Sequence, residues 1–456
     1  MIFEQHYLEC LSQASYLIGD ESSGRAVVVD PRRDVAPYLE SAQEHGLTVE
    51  LVIETHFHAD FLSGHLELAA ATGAEIAYGE GAETEFASRK LAHGERISLG
   101  EVELEIRHTP GHTPESISIV VYDGSEIPYG VLTGDTLFIG DVGRPDLLSS
   151  RGVTSEELGG MLYDSLHQEL MTLPDAVRVF PAHGAGSSCG KNLSTDTSST
   201  IGDQRVSNYA VAPMTKEAFI SVVTDGQTAP PAYFSFDANL NRENRPLLDE
   251  STPPVAMSLP DVIRAQRQGA VVLDTRDPNE FAVAHLIGSV NIGLAGRYAE
   301  FAGGVIQPGV AIVVVTDPGM ELEAKNRLAR IGFDSVVGHL ESPLETFLGN
   351  PDEVSASSRL DVVGLEAARA AGDLQLVDVR QPGETADGII DGAIEIPLTR
   401  LNERLASLDA SKPTVVYCAG GYRSSIGASR LVAAGFADVA DLLGGYGAWR
   451  SATSAP

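Results

Sequence analysis

The sequence predicts an α/β and α+β multidomain protein, and three observations carry that expectation. Short apolar runs that end in metal-ligating residues recur through the first half. An internal repeat fills the second half, and a proline-rich break separates the two. With 456 residues, 43% hydrophobic content and 46 glycines, the chain has room for two to four domains, each with its own core.

The elements follow in order. Ala26–Val29 reads as a buried strand ending at Asp30-Pro31, and Leu51–Ile53 as a strand entering Thr55-His56-Phe57-His58-Ala59-Asp60-Phe61. Ser63–Thr72 has helical spacing with Ser63 as its cap, and Val102–Ile106 alternates like a half-buried strand. Breaks fall at Thr228-Ala229-Pro230-Pro231 and Ser251-Thr252-Pro253-Pro254, the second being the domain boundary. Beyond it, Ala270–Gly293 matches Gln375–Pro397. Asp274 corresponds to Asp378, Arg276 to Arg380, Pro278 to Pro382, Glu280 to Glu384 and Gly288 to Gly392. Each copy then has a second apolar strand, Ala311–Val315 or Thr414–Tyr417, and a helix ending in a Gly-Phe pair. Apolar strands alternating with helices predict parallel sheets covered on both faces. The expected domains are 1–250, 255–352 and 358–456.

Composition narrows the function. A net charge of −33, from 31 basic and 64 acidic residues, argues against nucleic acid or an anionic membrane as partner. The N-terminus lacks the basic and apolar regions of a signal peptide, and no apolar run reaches the length of a membrane span. Three widely spaced cysteines, Cys10, Cys189 and Cys418, make no disulfide framework, so a cytoplasmic location is expected.

Two histidines at i and i+2 and an aspartate at i+4 after a strand aim imidazole and carboxylate groups at one place, as borderline metals require. Three later strand-end motifs can complete that site: Thr109-Pro110-Gly111-His112, Thr133-Gly134-Asp135-Thr136 and Phe180-Pro181-Ala182-His183. Their order and spacing resemble the metallo-β-lactamase fold, an αββα sandwich with metal at the strand-end loops. Dinuclear zinc hydrolases of that superfamily use a further histidine where this chain has Phe61. The surrounding sequence resembles instead the persulfide dioxygenases, which hold one Fe(II). That resemblance implies His56, His112 and Asp135 as ligands, leaving open positions for small molecules. His58, Asp60 and His183 would orient ligands or substrate. A second reading stays open, in which one of these three binds metal directly, as in the zinc relatives.

Arg144, in the loop after Asp135, is a plausible clamp for a carboxylate of a thiol carrier, with loop stabilisation as the plainer alternative. Cys189 lies six residues after His183, with Lys191 two residues on. That cation would favour thiolate, so Cys189 could bind or relay sulfur, although an inert cysteine fits equally.

Cys418-Ala419-Gly420-Gly421-Tyr422-Arg423-Ser424 sits between a strand and a helix, an arrangement that points backbone N–H groups and a helix N-terminus at one sulfur. Cys418 is therefore the candidate nucleophile and Arg423 its cationic neighbour. With the Asp-x-Arg and Glu pattern upstream, residues 358–456 resemble a rhodanese. The middle copy has Thr316-Asp317-Pro318-Gly319-Met320-Glu321 in place of the cysteine loop and resembles a rhodanese without its chemistry.

The whole order resembles persulfide dioxygenase–rhodanese fusions. This implies a low-molecular-weight thiol persulfide and O2 as substrates, sulfite and thiosulfate as the interconverting sulfur acceptor and donor, and compatibility with a homo-oligomer. The alternatives are a zinc-dependent thioester hydrolase like hydroxyacylglutathione hydrolase, fused to a sulfurtransferase, and a non-enzymatic sulfur carrier.

Overall fold

The computed structural model describes residues 1–125, 127–147, 152–227 and 230–453, so Thr228 and Ala229 of the first proline-rich break lie outside the described residues, as do the last three residues of the third expected domain. The described residues form two compact units. One comprises residues 1–230, 234–248 and 330–332, the other residues 231–233, 249–329 and 333–456. Among the described residues, no helix is long and apolar enough to cross a membrane.

The first unit holds two six-stranded sheets. In the first, β1 (Ile2–Leu8), β2 (Gln13–Asp20), β3 (Arg25–Val29), β4 (Thr48–Ile53), β5 (Glu75–Gly79) and β6 (Arg89–Leu91) lie in sequence order. In the second, β7 (Arg96–Ser98), β8 (Glu103–His108), β9 (Ile117–Tyr122), β10 (Gly130–Gly134), β11 (Arg178–Pro181) and β12 (Ser199–Thr200) do the same. Strand alternation decides how they pack. Ile18, Val27, Val29 and Ile53 of the first sheet share one cluster with Ile106, Ile119, Val121 and Leu132 of the second. Their neighbours Leu17, Val28 and Val52 face away, against Tyr38, Ala42 and Leu68 of two covering helices. Val120, Val131 and Val179 face Leu162, Leu166 and Phe219 on the other side. A one-residue slip would exchange buried faces, so the apolar pattern holds the register. The result is the expected αββα sandwich.

One local expectation fails. The helix after the ligand run spans His65–Thr72 with Gly64 at its N-cap and no side-chain cap. Ser63 is instead fully buried, pairs in a bridge with Arg32, and donates its backbone N–H to Asn241 Oδ1 at 2.8 Å.

The second unit contains two five-stranded sheets with the same internal order. One runs Ala256–Met257, Val336–Leu340, Ile312–Val315, Val271–Asp274, Val290–Asn291; the other runs Ser358–Leu360, Val439–Leu442, Thr414–Tyr417, Gln375–Asp378, Ile394–Glu395. Every pairing in both is parallel. Helices cover the faces, as two tandem rhodanese-like domains require.

Candidate metal centre and sulfur cradle

The first constellation forms because four strands deliver their C-terminal residues to one end of the sandwich. His56, His58 and Asp60 follow β4, His112 follows β8, Asp135 follows β10 and His183 follows β11. His56, His112 and Asp135 each offer a ligand atom, all lying within 4.8 Å of one another. His56 Nε2 is 3.8 Å and His112 Nε2 3.5 Å from Asp135 Oδ2. All three residues are buried, and both His56 Nε2 and Asp135 Oδ2 lack a hydrogen-bond partner among the described residues. Orphaned buried polar atoms are costly unless a ligand satisfies them, so this donor set fits a divalent metal ion.

Neighbours orient the donors. His112 Nδ1 meets Arg144 O at 2.9 Å, which turns Nε2 inward. Gly143 makes room for that contact, since a Cβ there would stand 1.9 Å from Asp135 O. The opening loop is held by Asp30, whose carboxylate accepts from Thr55 N at 2.7 Å and Thr55 Oγ1 at 2.8 Å. Burial, then the nearby His58, pushes His56 well below its usual range and keeps it a neutral donor. Burial would raise Asp135, but His183 and His56 outweigh it and hold the carboxylate ionised.

His58, Asp60 and His183 form a second group within the same span of 4.8 Å. His183 bridges two carboxylates, Nδ1 to Asp135 Oδ1 at 2.7 Å and Nε2 to Asp60 Oδ2 at 2.8 Å. Burial opposes its charge, yet those carboxylates lift it well above the imidazole range. His58 Nε2 is 3.2 Å from Asp30 Oδ1 and 3.5 Å from Glu54 Oε2. The Phe61 ring stacks obliquely on His58, with centroids 4.3 Å apart.

For Arg144 and Cys189 the surroundings favour the plainer of the two expected roles. Arg144 is buried and its guanidinium closes bidentately on Asp146, 2.7 Å from each oxygen, so it stabilises its own loop. Its contribution to the site is the backbone carbonyl on His112. Cys189 does come close to Asp135 and His183. Burial and the carboxylates of Asp60 and Asp135 raise its thiol well above the usual value, however, and Lys191 Nζ points instead at Val222 O, 2.7 Å away. Lys191 is thus turned away from the thiol.

The residues that sequence reasoning missed come from far along the chain. Asn241 donates to His58 O at 2.8 Å and Phe61 O at 2.9 Å, and Arg245 pairs with Glu67 at 2.6 Å. Arg242 lies over the Phe57 ring, 3.8 Å from its centroid. A cavity of about 240 Å³ opens beside His112, lined by Phe57, Ala59, Phe234, Ala238 and Asn239 among others.

The second constellation is local. Cys418 follows the strand Thr414–Tyr417, and Gly421, at φ +105°, caps the helix Tyr422–Ala433. The Gly421 N–H donates to Cys418 Sγ at 3.1 Å, and the thiol lies 3.6 Å from Ser424 Oγ. Arg423 forms a bidentate pair with Glu384, at 2.6 and 2.5 Å, so its charge is shared rather than free. Burial would lower the guanidinium, but Glu384 and then the Cys418 sulfur outweigh it.

The Metallo-beta-lactamase superfamily matches residues 8–183, and the Rhodanese-like domain matches residues 258–347 and 362–452. Mitochondrial persulfide dioxygenase ETHE1 of Homo sapiens is 29% identical over 231 residues, 50% of this chain and 82% of that protein. Its Mus musculus counterpart is 30% identical over 213 residues, 46% of this chain and 75% of that protein. Hydroxyacylglutathione hydrolase of Rhodospirillum rubrum is 32% identical over 170 residues, 37% of this chain and 60% of that protein. A solved metallo-beta-lactamase from Staphylococcus aureus subsp. aureus COL superposes with a TM-score of 0.67 at 33% identity, covering 74% of this chain and 98% of that one. The chain therefore belongs to the metallo-β-lactamase superfamily as a member of the persulfide dioxygenase family, fused to two C-terminal rhodanese-like domains.

Proposed function

We propose that region 1–250 oxidises a low-molecular-weight thiol persulfide with O2 and that region 358–456 transfers sulfane sulfur through Cys418, with region 255–352 catalytically silent. In the first reaction a persulfide, O2 and water become a thiol and sulfite. The observation that carries this reading is the convergence of His56, His112 and Asp135, with orphaned donor atoms, beside a cavity walled by Phe57 and Phe234. A ferrous ion held by these three would supply redox chemistry and open positions for O2 and a sulfur ligand. The apolar wall excludes water from the persulfide. His183, charged between Asp60 and Asp135, holds a proton and fixes the Asp135 carboxylate, while Asn241 holds the loop of His56 and His58.

At the second site the Cys418 thiolate attacks the outer sulfur of thiosulfate. The S–S bond breaks, sulfite leaves, and a persulfide remains on Cys418; the reverse reaction returns sulfur to sulfite. The Gly421 N–H and the start of the Tyr422–Ala433 helix stabilise the anionic sulfur. Fusion would raise the sulfite concentration near Cys418. All three cysteines are free thiols, in keeping with a reducing cytoplasm.

The experiment is anaerobic metal analysis joined to O2 uptake with a thiol persulfide. One iron per chain, uptake abolished by a chelator, and recovery with Fe(II) but not Zn(II) are expected. Two zinc ions with thioester hydrolysis and no O2 uptake would establish the other reading, a zinc hydrolase. The second group of buried donors, His58, Asp60 and His183, within 4.8 Å of one another, favours that alternative.

A further inference from the structure

The middle repeat has no nucleophile, yet its loop 293–296 turns all four backbone carbonyls to use. Gly293 O and Ala295 O lie 2.6 and 3.1 Å from the Tyr422 hydroxyl, which donates to them. The intervening Leu294 O and the following Gly296 O accept from the two terminal nitrogens of Arg327, a side chain of the middle repeat's own helix Glu321–Ala329. The loop is thus clamped between an arginine of one repeat and a tyrosine of the other. Phe301 packs on the same tyrosine, with ring centroids 5.4 Å apart. Burial raises the phenol well above its usual value, so it remains a donor.

Tyr422 occupies a sensitive position. It lies between Gly421, whose N–H faces the sulfur, and Arg423, whose charge is felt there. The same helix is gripped further along: Asn291 N donates to Ser429 Oγ at 3.0 Å, and Asn402 bridges Arg430 Nε and Val305 O at 2.7 and 2.8 Å.

We infer that the silent repeat sets the geometry of the sulfur cradle in its neighbour, through loop 293–296, with Tyr422 as the positioning residue. This rests on the reading of Cys418 as the sulfur acceptor. Tyr422 touches no reacting atom; it fixes the backbone from which the Gly421 N–H and the Arg423 side chain reach the sulfur. A displaced cradle stabilises thiolate less, which raises the pH at which Cys418 becomes nucleophilic.

Two readouts on the full-length chain test this. The first is the pH profile of Cys418 alkylation by iodoacetamide, resolved from Cys10 and Cys189 by peptide mass. The second is kcat and KM for sulfur transfer from thiosulfate to cyanide. Tyr422→Phe, which keeps the ring and removes the hydroxyl, should shift the alkylation midpoint upward by about half a pH unit, about threefold in thiolate fraction. It should also lower kcat/KM roughly tenfold, mainly in kcat. Arg327→Gln, confined to the middle repeat, should act in the same direction by roughly threefold. If Tyr422→Phe leaves the alkylation profile unchanged and kcat/KM within about twofold of the parent, the inference is overturned. Failure of the underlying reading looks different: transfer would survive Cys418→Ser. The alkylation profile needs no turnover and decides the positioning role in either case.

Discussion

In the middle repeat, Arg276 closes on Asp274 through Nε at 3.0 Å and Nη2 at 2.5 Å, then reaches Ala284 O at 2.9 Å. In the third, Arg380 does the same with Asp378 at 3.0 and 2.6 Å and reaches Gly388 O at 2.8 Å. The two sheets share one strand order. The loops that follow the second apolar strand differ in length and content, residues 316–320 in one and 418–421 in the other. One offers Asp317 and leads into Glu321; the other offers Cys418 beneath a helix N-terminus. The frame is buried and charge-paired, so its removal is costly in any copy. In the loops, Asp317, Pro318 and Gly319 are exposed in one copy and Ala419 and Gly420 in the other, while Cys418 is buried.

The comparison breaks most sharply at Cys418. Cys418→Ser should lower sulfur transfer by at least about a thousandfold while O2 uptake with a thiol persulfide persists. Undiminished transfer would overturn Cys418 as the sulfur acceptor. The frame is tested next, with Asp274→Ala and Asp378→Ala in separate chains. Each leaves a buried arginine unpaired, and each should cost about 3–5 kcal/mol in urea denaturation. Equal costs would sharpen the comparison, whereas a negligible cost in the middle copy would mean that its frame has decayed as well.

A smaller effect separates Glu384 from its counterpart Glu280. Glu384→Gln removes the partner that orients Arg423, and kcat/KM for thiosulfate should fall roughly tenfold. Glu280 is exposed, and Glu280→Gln should leave transfer unchanged. Burial would raise Glu384, but Arg423 outweighs it and holds the carboxyl below its usual 4.5. A depressed acid binds its proton less readily folded than unfolded, so the pair's contribution is complete above about pH 4.5 and fades as the pH falls through the folded value. Urea midpoints between pH 7 and pH 4 should therefore fall less steeply in Glu384→Gln than in the parent. The smallest change is expected from Ser424→Ala, which removes the hydroxyl 3.6 Å from the sulfur and should slow transfer about threefold.

The strand-end residues of the candidate metal centre and the repeat were legible in the sequence because both are local patterns: a strand that ends in His56 or Asp135 delivers that side chain wherever the strand goes. Other features were not legible. Arg144 has the same appearance in sequence whether it meets a substrate or Asp146, and only the loop's closure decides between them. Lys191 is two residues from Cys189, but its side chain leaves toward Val222 O, so nearness in sequence misjudged the electrostatics. The strap of Asn241 and Arg245 carries no motif, and its partners His58 and Glu67 lie almost two hundred residues earlier. Ser63 looked like a helix cap, yet its backbone N–H is taken up by that same Asn241.

That strap has a consequence for the order of events during synthesis. A ribosome that has made His56, His112, Asp135 and His183 has supplied every candidate ligand, but not the amide that holds the His58 and Phe61 carbonyls. At ordinary elongation rates the missing stretch takes on the order of several seconds to emerge. An ion captured in that interval would meet a loop still free of its tether.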